Sequence, residues 1–62
     1  MRSNIMWSNI MWIITRLNVK GQTEYYTNDG GWSTDEDDAM WFTDEQYCTY
    51  VADLVGGTKK DA

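Results

Sequence analysis

From Met11 to Leu17 the side chains alternate with period two. Met11, Ile13, Thr15 and Leu17 fall on one face, and Trp12, Ile14 and Arg16 on the other. Trp, Ile and Thr favour the pleated conformation, so this segment predicts a strand. Asn18-Val19-Lys20-Gly21 supplies a turn in which Gly21 is free to adopt a positive φ. Thr23 to Thr27 then reads as the returning strand of a hairpin. Asn28-Asp29-Gly30-Gly31 is a second turn signal, followed at once by Trp32.

Beyond Trp32 the pattern changes. Thr34-Asp35-Glu36 recurs as Thr43-Asp44-Glu45, each placing a hydroxyl at a helix N-cap and acids in the first turn. The first copy predicts one acidic helical turn through Ala39, and Met40-Trp41-Phe42 a short buried strand or connector. The second continues to Gln46 as a capping box. Tyr47, Tyr50, Val51 and Leu54 follow at i, i+3, i+4 and i+7, flanked by Cys48 and Val55, with Glu45, Thr49 and Asp53 opposite. Gly56 and Gly57 end that helix. The expected fold is α+β: a small antiparallel hairpin or sheet packed against a C-terminal amphipathic helix, with a short acidic helical turn before it.

Residues 3–12 repeat one pentapeptide, Ser-Asn-Ile-Met-Trp. A shift of five reverses faces in a strand and turns a helix by about 500°, so neither geometry stacks Trp7 on Trp12. The repeat therefore reads as a short duplication, with Met6 and Met11 as further plausible starts. The expected organisation is a duplicated arm at 1–10, a single α+β domain at 11–56 and a flexible tail at 57–62. An arm whose Ile5, Met6 and Trp7 pack on the domain or on a partner is the alternative.

Composition narrows the function. A chain of 62 residues makes one domain, and about 60% of its unfolded surface is the most it buries. Cys48 is the only cysteine and histidine is absent, which removes an intrachain disulfide and a Cys/His zinc site as supports. Four Trp, four Tyr and one Phe remain to build the core, with self-association as a second resource. The apolar run Ile10–Ile14 is too short for a secretory signal or a membrane span, and a lone thiol fits a reducing compartment. A cytoplasmic location in a bacterial host is expected.

The net charge of −5 is unevenly spread. Arg2, Arg16 and Lys20 are the only charges in residues 1–20, whereas Gly21 to Thr58 holds nine carboxylates and no base. Such a field repels nucleic acid and steers the chain toward a basic partner. Asp35-Glu36-Asp37-Asp38 is the densest run. It reads as a cation loop, a phosphate mimic, a general anionic docking surface or a solvated helix start; the spacing of an EF-hand is absent. No His, no Ser-His or Cys-His pairing and no phosphate-cradling loop is present, so neither enzyme nor cofactor is expected. Cys48 reads as a small buried hydrophobe. Nine aromatics exceed what one hairpin and one helix enclose, so some of Trp7, Trp32 and Trp41 should be exposed as interface anchors.

Trp12-Ile13-Ile14, Tyr25-Tyr26, Trp32, Ala39, Phe42 and Glu45, in that order, resemble a recurrent type of small bacteriophage and prophage accessory protein over about residues 11–55. That group has no common activity, and no functional residue carries over from it. What the resemblance implies is a viral protein acting inside a bacterium. The resulting expectation is a non-enzymatic inhibitor of a host nucleic-acid-handling or antiviral defence protein, of the anti-CRISPR or anti-restriction type. Its binding surface would comprise Asp35, Glu36, Asp37, Asp38, Asp44 and Glu45, anchored by Trp32 and Trp41. A self-associating assembly accessory is the alternative.

Overall fold

The structure, a computed structural model, describes residues 11–62; the expectations for the duplicated arm, Ile5, Met6 and Trp7 included, lie outside them. The elements are β1 (Trp12–Leu17), β2 (Thr23–Tyr26), β3 (Trp32–Ser33), a 3-10 turn (Glu36–Asp38), α1 (Glu45–Val55) and β4 (Thr58–Asp61). All four strands join one antiparallel sheet in the order β3-β2-β1-β4, and α1 packs on β1 and β4. This is the expected α+β domain, with two strands added to the hairpin.

Both turns form for the reasons their residues gave. The Asn18 side-chain oxygen accepts from the amides of Lys20 and Gln22, and Gly21 sits at φ +79. That geometry sets the register Thr15–Tyr25, Arg16–Glu24, Leu17–Thr23. In the second turn Gly30 has φ +86, and Tyr26 then pairs with Trp32. At the open end of the β1–β2 ladder the connector Ala39–Phe42 wedges in. Trp12 and Phe42 exchange two backbone hydrogen bonds of 2.8 Å, and the Met40 amide donates to Tyr26. Phe42 thereby joins Ile14, Cys48, Val51 and Ala52 in the core, with Trp12, Tyr26, Trp32, Met40 and Val55 packed around them.

Three expectations change. The segment expected as a flexible tail is β4, paired with β1 from Trp12–Asp61 to Thr15–Thr58. Its sequence, Thr-Lys-Lys-Asp, has no apolar face to announce a strand; the free edge of β1 supplies its partner, and lysines are the residues that blunt an exposed sheet edge. The caps are Asp35 and Asp44, one residue after the expected threonines. Asp44 Oδ1 accepts from the amides of Gln46 and Tyr47, which takes over the role assigned to the Thr43–Gln46 box. Asp44→Ala is expected to cost about 1 kcal/mol, whereas Thr43→Ala stays within about 0.5 kcal/mol; urea unfolding of the two variants separates them.

The third change concerns which face of α1 is buried. Cys48, Val51 and Ala52 are buried and Val55 is half-buried, while Tyr47, Tyr50 and Leu54 are 52%, 60% and 66% exposed. The helix is rotated relative to the expected stripe. The sheet and connector already fill the interlayer space with Ile14, Phe42, Trp12 and Trp32, so close packing selects the helix face with the small Cys48 and Ala52.

Candidate functional site

The densest polar arrangement is an open groove of about 590 Å³ between the Thr27–Gly31 turn and the 3-10 turn, lined by Asp29, Asp37, Asp38, Thr27, Ser33 and Trp32 among others. Local hydrogen bonds hold each wall. Asp35 caps the 3-10 turn by accepting from the Asp37 amide at 2.9 Å, while its own amide donates to Ser33 Oγ. Ser33 in turn donates its hydroxyl to Asp38 Oδ2 at 2.8 Å, which fastens the acidic turn to β3. On the facing wall Asp29 accepts from the Thr27 hydroxyl and the Gly31 amide. Those two donors, the hydroxyl foremost, hold its carboxyl below the usual aspartate range, so it is charged at neutral pH.

The expected site residues divide into three sets. Asp37 and Asp38 line the groove and Asp35 shapes it, whereas Glu36 is exposed on the turn without lining it. Asp44 and Glu45 lie at the start of α1, where Asp44 is used as the cap and Glu45 pairs with Lys59 of β4. Trp41 is 49% exposed on the connector and does not line the groove. Trp32 does, but its ring is half-buried, meets Tyr26 edge-on at 5.5 Å and carries the Arg16 guanidinium 4.2 Å from its centroid. It acts as a wall of the groove and not as a projecting anchor. Asp29 was not among the expected binding residues. In the sequence it is part of the Asn28-Asp29-Gly30 turn, which bears on the acidic run only through the cation-loop reading.

Charge pairing inside the domain leaves this surface untouched. Among the described residues the ion pairs are Arg16–Glu24 and Lys59–Glu45, so Asp29, Asp35, Glu36, Asp37, Asp38 and Asp44 have no cationic partner there. No group of three or more His, Cys, Asp or Glu residues with metal-holding geometry occurs among the described residues. Cys48 is buried in the core, and burial pushes its thiol up, so it is a packed hydrophobe in its protonated form. No described helix is long and apolar enough to cross a membrane.

A four-stranded antiparallel sheet with one helix on it defines a small α+β domain, and its most polar feature is an acidic groove walled by an indole. No protein-family model, curated protein or solved structure matches the chain.

Proposed function

We propose that this protein is a non-enzymatic binding protein that docks its acidic groove on a basic surface of another protein. The observation that carries this reading is the set of carboxylates, Asp29, Asp37 and Asp38 in the groove with Asp35 and Glu36 beside them, none of which is in an ion pair among the described residues. Exposed unpaired carboxylates raise the local negative potential and accelerate encounter with a positive patch. Lysine or arginine side chains that normally hold phosphates are the chemistry such a groove receives. Together with the sequence resemblance to phage accessory proteins, this supports a viral inhibitor that occludes the nucleic-acid-binding groove of a host defence or nucleic-acid-handling protein, inside the bacterial cell. The second reading, a self-associating accessory protein, draws on the exposed apolar stripe of α1.

The experiment is affinity capture from a bacterial lysate with the wild-type chain and with the variant D35N/E36Q/D37N/D38N. Asparagine at 35 keeps the cap, so the variant is expected to fold. Wild type should retain a basic protein that salt releases, and the neutralised variant should lose it. Equal retention by both would reject the acidic surface as the binding site.

A further inference from the structure

Three large side chains on α1 lie mostly outside the core of the described residues. Tyr47, Tyr50 and Leu54 are each more than half exposed. Tyr47 packs on the buried Phe42 with ring centroids 5.9 Å apart, and Tyr50 stacks on Tyr47 at 6.4 Å and 27°. The rings of Phe42, Tyr47 and Tyr50 form a ladder from the core to the surface. Tyr47, Tyr50 and Leu54 stand at i, i+3 and i+7, the 3-4 spacing of a seam that receives a second helix, and it runs about 10 Å along the axis, or two turns.

The charges around the seam say what kind of helix fits. Asp53 and Gln46 border it on the solvent side, and Asp44 stands at its N-terminal end. Lys59, the nearest base on β4, is engaged by Glu45. A second copy of the chain, itself of net charge −5, would bring the same acids to this rim. A helix with an apolar stripe and lysine or arginine beside it meets every requirement at once.

We infer that the Tyr47–Tyr50–Leu54 face of α1 is a docking seam for a cationic amphipathic helix of the partner protein. This rests on the reading of the chain as a binder of basic proteins and gives that binding its apolar anchor. It moves the anchor from Trp32 and Trp41 to α1. The acidic groove packs on β2 and β3, so it contributes a separate contact.

The probe is a short labelled synthetic helix with leucine at a and d and lysine at e and g, followed by fluorescence anisotropy, with a glutamate-flanked version as control. Wild type should bind the lysine peptide and not the glutamate one. Tyr50→Ser with Leu54→Ser should weaken binding by about tenfold or more. Leu17→Ser with Val19→Ser, at apolar positions near the hairpin tip that are more exposed still, should leave it unchanged. Unaltered binding by the α1 variant, or no binding by wild type, overturns the seam. Loss of peptide only in D35N/E36Q/D37N/D38N also overturns it while leaving the acidic groove standing; loss only in the α1 variant supports the seam as a contact separate from the groove. Sedimentation of wild type as a dimer that the α1 variant dissociates would assign the face to a second copy and overturn the inference.

Discussion

Phe42→Ala is expected to lower the free energy of unfolding by about 3–5 kcal/mol. A domain of this size holds roughly 0.05–0.15 kcal/mol per residue, so the loss is comparable to its entire stability. The reason lies in how many roles converge on one side chain. Phe42 is 3% exposed, lies against Ile14, Cys48, Val51 and Ala52, and supports the Tyr47 ring. Its backbone also closes the end of the sheet through Trp12, so a void there loosens sheet and helix together. The neighbouring Trp41→Ala removes a larger residue but an exposed one, and its midpoint should shift far less. Urea unfolding followed by circular dichroism gives the comparison. A Trp41 variant less stable than the Phe42 variant would contradict the assignment of the core.

The second large effect is expected from a single methyl group. A Cβ at Gly57 would lie 2.5 Å from Ile14 Cγ2, 2.9 Å from Trp32 Cη2 and 3.0 Å from the Thr15 carbonyl oxygen. Ile14 is fully buried and β-branched, and Thr15 presents backbone, so neither can yield cheaply. Gly57→Ala must therefore separate α1 and β4 from β1, at about 1–3 kcal/mol or more. Gly56 offers the control. It has open space around it but φ +77, so Gly56→Ala costs about 1–2 kcal/mol through backbone conformation alone. The two are told apart by amide exchange along β1 and β4, which should accelerate beyond the change in global stability only in the Gly57 variant. Were residues 57–62 an unattached tail, Gly57→Ala would be silent.

Much of the fold could be read directly from the chain. Alternation placed β1 and β2, and the glycines at 21 and 30 fixed their turns because each position takes a positive φ that glycine alone adopts without strain. The extent of α1 followed to within a residue from the Thr43-Asp44-Glu45 start signal before it and Gly56 after it, both local signals, although the cap proved to be Asp44 and not Thr43. The acids were also located, since charge is a property of the sequence. What local pattern could not give was the choice among faces and neighbours. The apolar arc of α1, from Tyr47 round to Val55, is wider than its contact with the sheet, so periodicity admits two orientations. The bulk of Ile14, Phe42 and Trp32 on the other side decided for Cys48 and Ala52, and left the tyrosines outside. Thr58–Asp61 is a strand only because β1 had an unpaired edge and Gly57 lets the chain come close enough to reach it. Asp29 lines one groove with Asp37 and Asp38 because the connector returns Ala39 to Thr27. Short-range conformational preference is carried by a few adjacent residues, whereas these juxtapositions depend on side-chain volume and open hydrogen-bonding edges contributed by segments far apart in the chain.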